Sequence, residues 1–354
     1  MKVLIVGTFG RYHGVCPNHE YIAETFEALG HQVVKLNESD CSADDVIKAS
    51  QGCDIMLVEE GRLYGDHSST KDGKNIIIGL FQRVMDEVKI PIISWLTNLF
   101  YNIGPREVEL QTNPIFKAKI VFSTDGGHQK EFEAQGINHV LLRQGIHEPE
   151  AYLGKPIYPT TADIVFIGSI YENIWGYRKV LKDFLVKTYG DKFEHLGNSG
   201  EIRHDDLNNL LATTKVVVGD SVKSDYYASN RIFEMMGRGG FLVFPMSKGL
   251  EEQYIPYKHF LPYQYGDFAG LKEIIDYYLV HTEEREKIRM AGFLHTKKYH
   301  TYLHRVSMML RILEKQGIIS GGESRVKDDL VFWDKGEEVD LEEAVKRRLF
   351  GGTA

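Results

Sequence analysis

Short apolar runs alternate with amphipathic helical segments along most of this chain, and this alternation limits the folds that it can adopt. In the first half of the chain the runs lie at residues 2–7, 32–36, 54–58, 90–96, 119–123 and 139–143. Runs that are apolar throughout, rather than at every second residue, indicate strands that are buried on both faces. Helical segments between such strands indicate parallel pairing. The sequence therefore predicts an α/β fold with helices on both faces of a parallel sheet.

A second series of the same kind begins at residue 163, where DIVFIGS repeats the strand-to-glycine pattern of KVLIVG at residues 2–7. Between the two series, GKPIYPTTAD at residues 154–163 contains two prolines and no apolar period, which is typical of a linker. After Asp267 the sequence becomes helical. We therefore predict two doubly wound, Rossmann-like domains that face each other across a cleft, followed by a helical C-terminal region. The predicted bounds are 1–153, a linker at 154–163, 164–299, and C-terminal helices and tail at 300–354.

Composition and charge narrow the class of protein. The chain has 354 residues, of which 43% are hydrophobic and 26% are charged, and these values are ordinary for a globular protein of two domains. No stretch approaches the ~18 consecutive apolar residues that a membrane span requires, and the first apolar run is too short for a signal peptide. We therefore expect a cytoplasmic protein without a membrane span. The net charge of −8 disfavours nucleic acid as a partner.

Glycine-rich turns follow the first strand of each series. GTFGRYHG at residues 7–14 places Gly7, Gly10 and Gly14 between a strand and a helix, where the backbone can approach an anionic ligand. Its spacing differs from the dinucleotide fingerprint G-x-G-x-x-G, and a glycine-rich turn without a ligand is the alternative. In the second series, FIGSIYENIWGYRKVL offers Gly168 and Ser169 to a phosphate, with Arg178 as a positive charge or as a solvated helix residue.

The stretch SNRIFEMMGRGGFLVF, residues 229–244, predicts a short helix that ends in two glycines before an apolar strand. Ser229 is the predicted N-cap. Arg231 falls in the first turn, where a cation is unfavourable unless it has an anionic partner, and Glu234 lies one turn later. A carboxylate can accept hydrogen bonds from two neighbouring sugar hydroxyls while a guanidinium binds a diphosphate. The alternative is a simple ion pair between Arg231 and Glu234 without a function.

This stretch and the segment after it resemble the glycosyltransferase-like family of spore-maturation protein CgeB. The shared pattern is S-x-R-x-F/Y-E, then G-G-F, then a helical tail, and it covers residues 163–313. In the tail the matching residues are Glu284-Arg285, Ala291-Gly292, His300-Thr301-Tyr302 and Arg305. The resemblance implies the GT-B fold and a relation to the retaining glycosyltransferases of family four. It further implies that the domain at 164–299 holds a nucleotide-sugar donor and that the domain at 1–153 is the acceptor side.

The resemblance also implies roles for individual residues. Glycosyltransferases of family four carry two glutamates seven residues apart, the first at the sugar and the second at the ribose. Glu234 matches the second of these, while Tyr226 stands at the position of the first, which leaves the identity of the sugar open. The donor-binding residues predicted in this way, together with the glycine turns, are Gly10, Gly168, Ser169, Arg178, Asn230, Arg231 and Glu234.

Candidate catalytic side chains follow two strands of the first series. Asp125 and His128 lie in STDGGHQKEF, and His147 lies in RQGIHEPEAY. If the departing phosphate takes the acceptor proton, one side chain that orients the sugar or the acceptor is enough. A contact at a helix cap or in the linker is the alternative for each histidine.

No metal or other cofactor is predicted. Paired aspartates occur, but none forms a D-x-D motif at the end of a strand, and GT-B enzymes generally need no bound metal. Cys16, Cys41 and Cys53 lack C-x-x-C spacing, so neither a disulfide framework nor a zinc site is expected.

The sequence thus predicts a glycosyltransferase, hexosyltransferase-like, that transfers a sugar from a nucleotide-sugar donor, with retention and without a metal. A GT-B-fold sugar-nucleotide epimerase and a non-catalytic nucleotide-sugar-binding protein are the alternatives. The acceptor can be a protein, a glycan, a small molecule or a modified nucleic acid, and the sequence does not decide among them. It also leaves open the oligomeric state and the role of the tail at 316–354.

Overall fold

The structure is a computed structural model, and it describes residues 1–10, 18–38, 41–59, 81–97, 107–170, 176–197, 202–321 and 330–333. These residues form two parallel sheets with helices, as predicted for an α/β fold. Among the described residues, one compact unit contains Met1 to Gln144 together with Tyr302–Leu330. The other contains Gly145–Thr301 and residues 331–333.

The first unit is built on a parallel sheet of six strands in the order β2-β1-β3-β4-β5-β6. The strands are β1 Lys2–Gly7, β2 Gln32–Asn37, β3 Ile55–Glu59, β4 Ile92–Leu96, β5 Ile120–Ser123 and β6 His139–Leu141. Alternate residues of β1 enter different cores, since Val3 and Ile5 pack in one cluster and Leu4 and Val6 in another. Both faces of the sheet are therefore buried, which explains why the strands read as continuous apolar runs.

The described helices of the first unit are Asn18–Ala28, Ala43–Ser50, Glu107–Thr112, Gln129–Ala134 and Tyr302–Lys315, and residues 81–87 are helical as well. Helix Tyr302–Lys315 comes from the C-terminal region of the sequence yet belongs to the first unit. Its buried face includes Tyr302 and Val306, and the Tyr302 hydroxyl donates to Asn18 Oδ1 at 2.9 Å. The predicted bounds placed this helix in a separate region from residue 300, whereas its apolar face is buried in the first core.

The second unit contains a parallel sheet of five strands in the order β11-β10-β9-β7-β8. The strands are β7 Ile164–Ile167, β8 Phe193–Leu196, β9 Val216–Val218, β10 Leu242–Pro245 and β11 Leu261–Tyr263. The sequence did not predict β11, which has only three residues, one of them Pro262. Proline has no backbone N–H to donate to a neighbouring strand, and it is tolerated here because β11 is an edge strand.

Five described α-helices accompany this sheet: Gly176–Tyr189, His204–Thr213, Arg231–Gly237, Phe268–Val280 and Thr282–Tyr299. The segment predicted as a linker, 154–163, contains neither helix nor strand and belongs to the second unit. Its backbone is attached to the His204–Thr213 helix, since Lys155 N donates to Asn209 Oδ1 at 2.8 Å and Tyr158 N donates to Thr213 Oγ1 at 3.1 Å. Among the described helices, none combines the length and the hydrophobicity that crossing a membrane requires.

The chain passes between the units at Gln144–Gly145 and again at Thr301–Tyr302. In the second unit these two passages lie side by side, since Ile146 forms a parallel bridge with Thr301 and donates from its backbone N to His300 O at 3.0 Å. A Cβ atom at Gly145 would lie 2.7 Å from His300 O, so this position requires glycine. The first passage therefore precedes the predicted boundary at 153, and the domain bounds stay a prediction.

Candidate anion and nucleotide site

The second sheet has a topological switch point between β7 and β9. The chain runs from β7 to its neighbour β8 on one side and then continues at β9 on the other side of β7. In doubly wound sheets, ligands bind beyond the carboxyl ends of the strands at such a point. Gly168 and Ser169 follow β7, and Gly219 and Asp220 follow β9. We therefore expect a ligand site at the residues that follow these two paired strands.

Arg231 is fixed at this edge of the sheet by its own hydrogen bonds. Its Nε donates to Ile167 O at 2.8 Å, and Nη1 donates to Asp220 O at 3.2 Å and pairs with the Asp220 carboxylate. The guanidinium also lies 5.4 Å from the ring centroid of Phe166. Burial lowers the pKa of Arg231, and the Asp220 charge opposes that shift.

The start of the Arg231–Gly237 helix differs from the prediction. Asn230, rather than Ser229, occupies the N-cap position, and no side-chain hydrogen bond caps the helix there. The Ser229 hydroxyl instead donates to Asp220 O at 2.8 Å. Sequence alone favoured serine because it is a common N-cap, whereas here the hydroxyl ties the helix to the loop after β9. The predicted glycine stop is confirmed, since Gly239 follows the helix with φ of +80°.

Arg178 reaches the same aspartate from the Gly176–Tyr189 helix. Its Nε donates to Asp220 Oδ2 at 2.5 Å, and its Nη1 donates to Ser169 O at 2.9 Å. The side chains of Arg178, Asp220 and Arg231 are 11%, 3% and 12% exposed. Two guanidiniums thus share one carboxylate at the switch point. Two mostly buried guanidiniums at one place offer planar, charged donors to an anion.

Gly168 leaves room for the Arg231 guanidinium. A Cβ atom at position 168 would lie 2.3 Å from Arg231 Nη2, and the backbone there has φ of +151°. The Gly168 carbonyl accepts a hydrogen bond from His195 Nε2 at 2.9 Å, and its N–H donates to Leu196 O at 3.1 Å. The glycine predicted from the strand-to-turn pattern therefore packs against a side chain 63 positions later in the sequence.

Glu234 lies one turn along the same helix, with 13% of its side chain exposed. Its Oε2 accepts a hydrogen bond from Arg238 Nε at 3.1 Å, and Asn230 Nδ2 lies 3.5 Å from Oε1. Burial raises the pKa of Glu234 to about 7, while Asn230 and the nearby Arg203 charge act in the opposite direction. The simple Arg231–Glu234 ion pair is not formed, because Arg231 pairs with Asp220 and Glu234 pairs with Arg238.

Tyr226, at the position of the first family-four glutamate, has a left-handed backbone conformation with φ of +56°. Its backbone N–H donates to Lys248 O at 2.6 Å, and Lys248 Nζ lies 5.3 Å from the centroid of its ring. A left-handed conformation is uncommon for an aromatic residue. The loop before Ser229 therefore contains a left-handed turn at Tyr226.

The remaining predicted residues are divided between the two units. Asp125 and His128 follow β5 in the first unit, where Asp125 is 1% exposed and the His128 Nδ1 lies 3.5 Å from Glu131 Oε1. His147 was predicted in the first domain but lies in the second unit, where it precedes the short turn Glu148–Glu150. Gly10 is exposed with φ of +66°, and the rest of its predicted loop, 11–14, lies outside the described residues. Their roles stay predictions.

Sequence reasoning missed Asp220, which pairs with both arginines, and Arg238, which pairs with Glu234. A local signal existed for each of them. Asp220 directly follows the apolar strand VVV and a glycine, and Arg238 stands four residues after Glu234 on the same helix. Within the described ranges, no group of three or more histidine, cysteine, aspartate or glutamate side chains is arranged to hold a metal ion. The contacts of Arg178, Asp220 and Arg231 make this edge of the sheet the candidate site for an anion.

Part of the chain matches a known family. Residues 169–311 match the model of a family described as glycosyl transferase-like, and this segment contains Ser169, Arg178, Asp220, Arg231 and Glu234. No curated protein matches the chain significantly.

Solved structures resemble the chain over nearly all of its length. Anabaena HepE in complex with UDP and glucose has 13% identity and a TM-score of 0.62 over 90% of this chain and 100% of that one. Sucrose-phosphate synthase from Thermosynechococcus elongatus has 12% identity and a TM-score of 0.61 over 90% and 100%. A glycosyltransferase from Rickettsia africae has 13% identity and a TM-score of 0.59 over 91% and 99%. At these identities the likeness is one of fold: this chain has the GT-B fold, with two Rossmann-like units and a helical C-terminal region.

Proposed function

We propose that this protein is a glycosyltransferase that takes a sugar from a nucleotide-sugar donor held by the second unit. The observation that carries the proposal is the pair of guanidiniums, Arg178 and Arg231, that meet on Asp220 at the switch point of the second sheet. The glycosyl transferase-like match over 169–311 and the fold shared with structures solved with UDP and glucose or with UDP-glucose support it.

The donor diphosphate would bind at Arg178 and Arg231, beside the backbone of Gly168 and Ser169. The two guanidiniums present planar donors suited to phosphate oxygens, and they meet on one carboxylate. Glu234 would accept hydrogen bonds from the ribose hydroxyls, with Asn230 beside it. A carboxylate next to a cationic site matches a ligand that carries hydroxyls on one side and phosphate on the other.

The same charge would assist the chemistry. As the bond between the sugar and the diphosphate breaks, negative charge grows on the leaving phosphate, and fixed guanidiniums stabilise it without reorganisation. We propose that this charge serves in place of a bound metal and other cofactors. The resemblance to the CgeB type and to family four supports transfer with retention, in which the leaving phosphate takes the acceptor proton. Asp125, His128 and His147 are the candidates for orienting the sugar or the acceptor.

A ligand panel tests the proposal. Purified protein in EDTA is melted with uridine, guanosine, adenosine and thymidine diphosphates, each at about a hundredfold over its dissociation constant. A ligand of this kind stabilises the fold by about 2.7 kcal/mol. We expect one nucleotide to raise Tm clearly. If none does, the donor assignment fails, and if the shift needs manganese, the metal-free proposal fails.

Turnover of the matching nucleotide sugar then identifies the reaction class. Release of sugar to water or to an acceptor supports a transferase. An altered sugar nucleotide would point to an epimerase, and binding without turnover would point to a binding protein. An acceptor screen with proteins, glycans, small molecules and modified nucleic acids follows from a positive result.

A further inference from the structure

A buried chain of contacts leads away from Glu234 through Arg238. The Arg238 side chain is 3% exposed, and each of its donor groups has a partner. Its Nε donates to Glu234 Oε2 at 3.1 Å, its Nη1 donates to Asn208 Oδ1 at 2.7 Å, and its Nη2 pairs with the Glu150 carboxylate. Three partners in three directions fix the guanidinium, and the guanidinium in turn fixes one oxygen of Glu234.

The partners of Arg238 are themselves fixed. Asn208 is 0% exposed, and its Nδ2 donates to Glu150 O at 3.1 Å and to Tyr152 O at 2.9 Å. Gly154 packs so closely on the Asn208 backbone that a Cβ atom there would lie 2.1 Å from Asn208 C. The segment 150–154 is therefore attached to the His204–Thr213 helix, and Arg238 attaches both to the Arg231–Gly237 helix.

Two buried carboxylates share the guanidinium of Arg238. Glu234 and Glu150 have side chains that are 13% and 9% exposed, and both pair with the single guanidinium of Arg238. The other oxygen of Glu150, Oε1, lies 2.7 Å from His204 Nδ1. A buried carboxylate needs cations or hydrogen-bond donors to compensate for its lost hydration. For Glu234 these include Arg238, Asn230 and the nearby Arg203 charge. Arg231 is bound instead to Asp220 and Ile167.

We propose that Arg238 is a positioning residue for nucleotide binding: its hydrogen bond to Oε2 orients the Glu234 carboxylate toward the ribose hydroxyls. This inference rests on the proposed function, since it needs Glu234 to bind ribose. Glu150 and Asn208 fix the Arg238 guanidinium on the side away from Glu234. Arg238 itself does not touch the nucleotide.

The test compares two nucleotides and two buried arginines. Affinities are measured by calorimetry for the nucleoside diphosphate that binds the wild type and for its 2′-deoxy form. Arg238→Lys keeps the charge but loses the three-way geometry. Arg289→Lys is the matched control, because Arg289 is also 3% exposed but donates to Thr214 O and Lys215 O, which precede β9 at the opposite edge of the sheet.

We expect the wild type and Arg289→Lys to prefer the ribonucleotide by roughly tenfold, the effect of losing a charge-assisted hydrogen bond. Arg238→Lys should reduce this preference to about twofold or less and leave affinity for the 2′-deoxy form within about twofold. An unchanged preference in Arg238→Lys overturns the inference and leaves the proposed function intact. A wild type without any preference overturns the ribose role of Glu234, and the inference with it, while diphosphate binding at the arginines can still stand.

A second variant keeps the inference testable if Arg238→Lys does not fold. Glu150→Gln retains the shape of the network but removes the charge that fixes the guanidinium from the other side. The preference for the ribonucleotide should then fall by about threefold, because Arg238 holds the Glu234 oxygen less firmly. An unchanged or higher preference in this folded variant contradicts the coupling.

Discussion

Arg231 is bound to Asp220 twice, through an ion pair with the carboxylate and through a hydrogen bond of 3.2 Å to the carbonyl oxygen. The two residues are 11 positions apart and connect the start of a helix to the end of β9. Arg178 reaches the same carboxylate from another helix. The first two predictions follow from this arrangement.

Replacing Arg231 with alanine should weaken binding of a nucleoside diphosphate more than binding of the bare nucleoside, because the proposed partner of the guanidinium is phosphate. Loss of a charge-assisted hydrogen bond corresponds to about ten- to a hundredfold in affinity. Arg178→Ala should act in the same direction. Lys179→Ala is the control, since Lys179 neighbours Arg178 in sequence and is 51% exposed. Equal losses for nucleoside and diphosphate in Arg231→Ala would argue against a phosphate site.

Gly168→Ala should disturb the same guanidinium without removing it. The added Cβ would fall 2.3 Å from Arg231 Nη2, so the arginine must move, and we expect a loss of diphosphate affinity of about tenfold or more. Gly190→Ala shares the strain of a positive φ, +51°, but its Cβ would meet no atom within 4 Å. Calorimetry on both folded variants separates contact from strain. Matching losses in the two variants would contradict a specific effect on Arg231.

Changing Glu234 to glutamine keeps the shape of the side chain but replaces one acceptor with a donor. Affinity for the nucleoside and for the diphosphate should fall alike, by about ten- to a hundredfold, because both carry the ribose. Glu131→Gln, on a half-exposed carboxylate of the first unit, is the control. Binding like that of the wild type by Glu234→Gln would remove the ribose role.

The pH dependence of stability should also depend on Glu234. Burial raises the pKa of this carboxyl from 4.5 to about 7, so the folded protein holds the proton more strongly than the unfolded chain does. Between these two values the free energy of unfolding should therefore fall as pH rises, because ionisation costs more in the folded state. The Asn230 hydrogen bond and the nearby Arg203 charge limit the loss, and we expect about 1–3 kcal/mol.

Denaturant titrations of the wild type and of Glu234→Gln at pH 5 and pH 8 measure this contribution. The glutamine variant lacks the titration, so the stability of the wild type relative to it should be higher at pH 5 than at pH 8. A difference that is the same at both pH values would show that Glu234 stays ionised throughout this range.

Much of the architecture could be predicted from local pattern. Continuous apolar runs and the helices between them indicate buried parallel strands, because a strand covered on both faces has no polar positions. Gly168, Arg231 and Glu234 could be selected from a strand-to-glycine turn and from a cation in an unfavourable first turn. These signals are local, since periodicity and turn chemistry depend on residues a few positions apart.

The tertiary structure decided which of these groups meet. Only the strand order places the residue after β9 beside the residue after β7, and so only the fold shows that Asp220 receives both Arg178 and Arg231. The pairing of Arg238 with Glu150 and the inclusion of Tyr302–Lys315 in the first unit are likewise fixed by packing. A charge has no preferred partner in sequence, because Coulomb attraction and hydrogen bonding depend on distance in space, and strand order sets that distance.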